Sequence, residues 1–542
     1  MAQNCCDVIF HVQLVVSAVV VLFCCVHAIV RVAFDFSVVH QRSDSFLNEF
    51  DLLLVDDYGV GGIFSTWLCC SLVHCAVWRV FRHNLRAAVA VDVLLHLVYL
   101  GTGPLFAVFV LALPCISFVV ILRSREHGSK NRAEGQAISL VFVVLTWLFY
   151  LSTIDQTQRH ARSTVELSPT SARSQFRTLL FLTYKQLQLI SFTVFQLRVR
   201  DDETKRHSKP SNYTVIDHFR IVVSDLCTFL FYWPLVFILI KPFEQFHAER
   251  NQSTVKPIVS RNEVFRKIAQ LSTTVVLLRL IPRYFSHQSL FSDVDVLRQM
   301  DRSALLSIYF CSIAQFQLVY SALFGGANLL LLLDGKLAPN RPPICLLRVT
   351  GFTEIWRHFD RGLYRLLKTD LYQPIMRVDS LESPQNCRQA GLKSSVSLRQ
   401  LLATLAVFAA GLVWHDARSR AMLVFSAVSF VATVCERFSC AFLSRVDETI
   451  VRNVPALAPL FTRHVRVLAL LPVYFSLHLS AAYFLGAADG GTGEVFRERF
   501  FDDVVFGAIR ELAPFFAVLY CFLFVMLELR DLMLKSNLRF LW

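Results

Sequence analysis

Apolar stretches close to the length of a bilayer crossing recur along this chain from Gln13 to Leu527. A crossing helix needs about 20 consecutive apolar residues. The runs that approach this are Gln13–Phe34, Gly62–Phe81, Ala87–Thr102, Pro104–Leu122, Ile138–Ile154, Phe176–Leu197, Ile221–Ile240, Ile268–Ile281, Leu305–Leu333, Leu398–His415, Ala421–Cys435, Val465–Leu485 and Val504–Leu527. They are continuous rather than alternating, which points to helices and away from the strands of a membrane barrel. Composition agrees, with 55% hydrophobic residues, 18% charged residues and a mean hydropathy of +0.50. Several runs are too short or too polar to cross fully. The expectation is an all-α polytopic membrane protein, a bundle of about 10–12 transmembrane helices with re-entrant and interfacial helices. Residues 1–542 read as one integral-membrane domain. No internal repeat is visible, so an inverted-repeat transporter has no support.

Lys and Arg number 54 against 41 Asp and Glu, a net charge of +13. The cations gather in short connections between apolar runs, the positive-inside pattern. That accounts for the excess without a nucleic-acid partner, and none is expected. Membrane lipids are expected partners, and the same loops would attract a phosphorylated cosubstrate such as coenzyme A. Arg123–Arg132 and Arg198–Lys209 read as cytosolic, Gly486–Phe501 as an exposed Gly-rich loop. Of the two glycosylation sequons, at Asn212 and Asn251, the first reads as cytosolic and unmodified. The fifteen cysteines form no Cys-x-x-Cys pairs at metal spacing. Most lie in apolar runs and read as small core residues. Cys5 and Cys6 are weak candidates for palmitoylation. Gln13–Phe34 lacks a basic leader and reads as a retained span.

The longest polar stretch is Asp334–Ser397. Within it Phe352, Ile355, Trp356, Phe359, Leu363, Leu366 and Leu367 recur at helical spacing, interleaved with Arg357, Asp360, Arg361 and Arg365. That pattern predicts an amphipathic helix at the membrane interface, closed off by Pro374. His415 ends the apolar run Leu401–His415. A histidine in such surroundings needs a reason. It is either a helix-end residue satisfied by its neighbours or a general base. Asp360 is either the partner of Arg357 or Arg361 on a helix surface or a carboxylate that orients a base or a substrate amine. Trp356, Arg357 and Trp414 flank these two as candidate substrate-binding residues; Arg357 suits a phosphate or carbonyl, or simple snorkelling. Cys345, in Arg-Pro-Pro-Ile-Cys, is an interfacial thiol open to acylation or metal ligation.

At these residues the chain resembles the membrane-bound O-acyltransferase superfamily, and within it the hedgehog acyltransferase branch. TGFTEIWRHFDRGLYRLLKTDLYQPI resembles that branch's W-R-x-F-D-x-G-L block ending in Tyr-x-Pro. LLLDGKLAPNRPPIC resembles the Asp-Gly and Pro-rich approach to a cysteine before the block, and VFAAGLVWHD the apolar run ending in Trp-His. FYWPLVFILIKPFEQF and AVSFVATVCERF resemble the family's flanking segments, so the likeness covers residues 229–438. Asp416 stands where the family usually has Gly, the polar stretch Met376–Ser395 replaces a short Gly-rich turn, and Lys241-Pro242 replaces Gly-Pro.

The resemblance implies His415 as the catalytic histidine, Asp360 as the catalytic aspartate and Cys345 as a haem-iron ligand. It implies transfer of a long acyl chain, palmitoyl in this branch, from acyl-CoA to the N-terminal amine of a secreted hedgehog-type protein with an N-terminal Cys. The implied location is the endoplasmic reticulum or Golgi membrane. Two alternatives stand beside it: an O-acyltransferase acting on Ser, glycerol or lipid, and a catalytically inactive relative.

Overall fold

The structure is a computed structural model. It describes residues 12–23, 26–27, 62–81, 84–124, 181–196, 215–236, 241–251, 261–284, 294–334, 349, 351–377, 397–416, 420–453, 455, 458–486, 495, 498–499 and 512–535. Every regular element among the described residues is helical. The helices used below are α1 (Gly62–Val80), α2 (Leu85–Leu100), α3 (Thr102–Ser124), α4 (residues 181–196), α5 (Val215–Leu230), α6 (Phe243–Asn251), α7 (Arg261–Tyr284) and α8 (Arg302–Leu333). Then follow α9 (Phe352–His358), α10 (Arg361–Leu366), α11 (Leu398–Asp416), α12 (Arg420–Asn453), α13 (Ala458–Gly486) and α14 (Leu512–Lys535).

Four of the described helices contain windows long and apolar enough to cross a membrane: Cys311–Leu333, Leu398–His415, Arg420–Asn453 and Phe461–Ala481. Together with the shorter apolar helices they make this an all-α polytopic membrane protein. For α8, α12 and α13 the apolar runs locate the helix but understate its length. α8, α12 and α13 run past the greasy segments into charged turns, because a helix keeps its backbone paired beyond the hydrocarbon edge. The Ile138–Ile154 run, the Gly486–Phe501 loop as a whole, Asn212, Cys5, Cys6 and Cys345 lie outside the described residues.

Local chemistry sets several ends. Asn84 caps α2 by accepting from the Ala87 N–H at 3.2 Å, and Asp301 caps α8 through the Ala304 N–H at 2.8 Å. α2 and α3 meet at Gly101, whose φ of 85° is a left-handed conformation that a side chain would strain. Gly326 lets α8 lie against α1: a Cβ there would come within 2.8 Å of the Trp67 ring.

A buried polar knot joins the N-terminal helices to the end of α8. His74 Nδ1 is 2.6 Å from Asp92 Oδ1, and its Nε2 is 2.9 Å from Asp334 Oδ2. Trp78 donates to Asp92 at 2.8 Å, and the Tyr232 hydroxyl donates to Asp334. Beside it, α4 is buried nearly all round, with Lys185 and Gln188 donating to the carbonyls of Leu230 and Leu235. Those carbonyls belong to the end of α5 and the short turn Trp233–Leu235, and the helix ladder leaves such groups unpaired. Among the described residues two apolar cores result. One gathers α2–α5 with the α10 region; the other joins α9 to α12, α13 and α14.

The interfacial helix forms where its periodicity places it, but in pieces. It breaks at Phe359–Asp360, so α10 starts afresh with Asp360 as its N-cap. Residues 367–372 then widen into a π-helical turn. Pro374 does not end the helix, contrary to the sequence expectation. It follows closely on the π-helical turn, and Gln373–Arg377 carries the helix past it.

Candidate active site

The site is built where α9, α10 and the π-helical turn meet α11 and α12. Along α11, Thr404, Phe408, Gly411, Trp414 and His415 share one face, as helical spacing requires. That face lines a cavity of about 270 Å³. The opposite wall is Trp356 and Arg357 of α9, then Leu363, Tyr364, Lys368 and Tyr372; α12 adds Phe425, Ser426, Thr433 and Arg437. From Thr404 to His415 the cavity follows α11 for roughly 16 Å at 1.5 Å per residue. Its walls are mostly apolar, while Arg357, Lys368 and Arg437 supply positive charge and none of the lining residues is acidic. A Cβ on Gly411 would meet nothing within 4 Å, so the wall one turn before His415 is open.

The structure therefore brings four of the expected residues, Trp356, Arg357, Trp414 and His415, to one cavity. Trp414 packs against the His415 ring at 4.5 Å between centroids, and Phe425 meets the same ring at 6.3 Å. The Trp356 indole N–H is buried and has no hydrogen-bond partner among the described residues. Asp360 is not in the lining. It is buried just behind it, between the cavity residues Trp356 and Leu363 in sequence.

Asp360 is not a partner of Arg357 or Arg361. Its carboxylate accepts the Leu363 N–H at 2.9 Å, and Arg361 turns instead to His358 Nδ1 at 2.9 Å. Burial among apolar side chains pushes the carboxyl up to about 7, and the N–H groups of Leu363 and Gly362 pull the other way. A carboxyl in that range changes charge near neutrality, a property shared by many catalytic acids and bases.

Three residues beside the cavity escape a reading of the sequence: Tyr184, Tyr320 and Glu436. Tyr184 of α4 packs edge-on to Trp414 at 5.7 Å, and its phenol, with that of Tyr320, lies within electrostatic reach of Asp360. Tyr184 thus lies near both the aspartate and the Trp-His pair. Glu436 of α12 accepts the Thr353 N–H at 2.8 Å and lies so close beneath Gly351 that a Cβ there would come within 2.5 Å of it. This caps α9 and sets the direction of Trp356 and Arg357. Neither Tyr184 nor Glu436 belongs to a local motif; long-range packing alone puts them here. Cys345 lies outside the described residues, and among those described no three His, Cys, Asp or Glu residues gather as a metal site.

No family model matches the chain. It is similar to protein-cysteine N-palmitoyltransferase HHAT of Mus musculus, 28% identical over 192 residues, which is 35% of this chain and 35% of the mouse protein. It is also similar to protein-cysteine N-palmitoyltransferase Rasp of Drosophila melanogaster, 29% identical over 122 residues, 22% of this chain and 21% of the fly protein. The matched parts span about a third or less of either relative. Apolar helices, a Trp-His pair at a greasy cavity and these two similarities point the same way: over part of its length the chain is similar to protein-cysteine N-palmitoyltransferases.

Proposed function

We propose that this protein is a membrane-embedded acyltransferase that moves a long-chain acyl group, palmitoyl by class, from acyl-CoA to the N-terminal amine of a secreted protein. The observation that carries the reading is His415, with Trp414, on the wall of an apolar cavity that also carries Arg357, Lys368 and Arg437. The apolar wall suits the acyl chain, and the three cations suit the phosphates of coenzyme A. Endoplasmic reticulum or Golgi membrane is the proposed location, with coenzyme A entering from the cytosolic face and the acceptor from the lumen.

The amine nitrogen attacks the thioester carbonyl carbon, and the carbon–sulfur bond breaks. His415 takes the proton that the nitrogen sheds and returns it to the departing coenzyme A sulfur. The Trp356 N–H, which has no partner among the described residues, is a donor for the carbonyl oxygen as negative charge builds on it. Asp360, buried behind the lining near Tyr184, which packs on Trp414, is assigned a positioning role for the Trp-His pair. A haem on Cys345 is a further proposal from resemblance. Protein from haem-sufficient cells should show a Soret band that Cys345→Ser abolishes, and a wild-type preparation with no such band rejects that ligand.

The deciding assay supplies purified protein with labelled palmitoyl-CoA and a peptide bearing an N-terminal Cys. Label should reach the free peptide and not its N-acetylated form, and His415→Ala should lose at least ~100-fold in rate while accumulating normally. Label on a serine hydroxyl, glycerol or lipid instead would sink the amine reading. No transfer to any acceptor would leave an inactive relative.

A further inference from the structure

A second cavity, of about 720 Å³, opens between α2, α3 and α5, and shares no lining residue with the candidate active site. One wall is a single face of α2, with Arg86, Val89, Ala90 and Val93 at successive helical turns. The other is one face of α5, from Phe219 and Arg220 through Val223 and Cys227 to Phe231. The far end is shut by Phe109 of α3, whose ring meets Phe231 at 5.5 Å. Both arginines therefore stand at the open end, and the groove runs from them for roughly 10–16 Å along the helices.

Charge is concentrated at that mouth. Arg86 and Arg220 are exposed, no lining residue is acidic, and neither guanidinium has a carboxylate partner among the described residues. Among the described side chains of α5 the acid is Asp225, and it points elsewhere, held by Arg250 at 2.6 Å. The one buried hydroxyl in the groove, on Thr228, is spent on the Ser224 carbonyl at 2.7 Å. The outer faces of α2 and α3 beside the groove expose Leu94, Val98, Phe106 and Val110. Lipid, rather than water, solvates such a surface. In sequence, the basic stretch Arg123–Arg132 follows α3 and the mixed stretch Arg198–Lys209 precedes α5. A positive end of this kind faces the cytosolic, anionic leaflet.

We propose that this groove is a binding site for an anionic phospholipid, its headgroup phosphate on Arg86 and Arg220 and one acyl chain laid between α2 and α5 as far as the Phe109–Phe231 pair. The site is separate from acyl transfer and does not depend on it. A zwitterionic lipid fits the apolar part but leaves the two guanidinium groups facing no net charge. A free phosphate fits the guanidinium groups but leaves the apolar part empty.

The test uses the full-length protein in nanodiscs or mild detergent and native mass spectrometry, with phosphatidylserine, phosphatidylcholine and inorganic phosphate as separate probes. Phosphatidylserine should be retained in preference to phosphatidylcholine. The double variant Arg86→Gln, Arg220→Gln should weaken phosphatidylserine by roughly ten- to thirtyfold, the scale of two basic groups at an anionic surface, and leave phosphatidylcholine unchanged. Ala90→Trp, which fills the groove without altering charge, should weaken phosphatidylserine as well. Because both arginines are exposed, the double variant is expected to fold, and its melting temperature checks that. Equal retention of the two lipids, or unchanged phosphatidylserine binding in the double variant, overturns the proposal. So does displacement of phosphatidylserine by millimolar phosphate, which would mark a plain anion site.

Discussion

Asp360 carries two duties in one carboxylate. It starts α10 by accepting the Leu363 N–H, and it keeps a titrating group behind the cavity. A carboxyl that holds its proton more tightly when folded stabilises the fold at pH below its ordinary value of 3.8. That advantage is lost as pH rises through about 7. Asp360→Asn keeps the cap but cannot ionise. Its melting temperature should therefore gain on the wild type between pH 4 and pH 7, a trend that parallel thermal scans would reveal. Turnover should collapse in the same variant while acyl-CoA binding survives. If Asp360→Asn changes only yield or melting temperature, the aspartate is structural. Local sequence showed the acid and its aromatic setting. It did not show the break in the helix, because Phe359 and Asp360 both fit the period of a continuous helix. Nor did it show Tyr184, which lies 176 residues away in sequence and reaches the site only through packing on Trp414.

At the scale of elements, α9 is a short helix whose direction depends on a neighbour. Its first turn is fixed by Glu436 of α12, through the Thr353 N–H and the tight approach to Gly351. A carboxylate at a helix N-terminus also meets the positive end of the helix dipole. Glu436→Ala should cost about 1 kcal/mol of stability, the usual scale for a lost cap. More tellingly, it should raise KM for acyl-CoA more than it lowers kcat, since Trp356 and Arg357 lose their orientation while His415 stays put. A pure stability loss with unchanged kinetics would remove Glu436 from substrate positioning. The apolar runs made most of these elements legible, and the Trp-His end of α11 was plain in them. The π-helical turn was not, since Leu367–Tyr372 looks like ordinary helix until Pro374 has to be accommodated.

Across the whole molecule, a buried polar link that joins distant parts of the chain is His74 between Asp92 and Asp334. Read locally, His74 and Asp92 look like isolated polar residues in the greasy runs of α1 and α2. Their partnership spans 18 residues in one direction and 260 in the other, a separation no periodicity reports. Removing the ring leaves two buried carboxylates near each other. His74→Ala should cost several kcal/mol, on the scale of ~3–5 kcal/mol for a broken buried pair, measurable as a fall in folded yield and melting temperature far from the catalytic cavity. The same link sets a timetable for biogenesis. The His74–Asp92 half is complete once the first hairpin is made, but its third member is translated 242 residues after Asp92. At about 5–20 residues per second, the ribosome takes on the order of tens of seconds to deliver it. Through that interval the young hairpin waits in the translocon or bilayer with a half-satisfied histidine. The arrival of Asp334 is then the event that latches the first-made helices onto the later ones, just before the segment bearing Asp360 emerges.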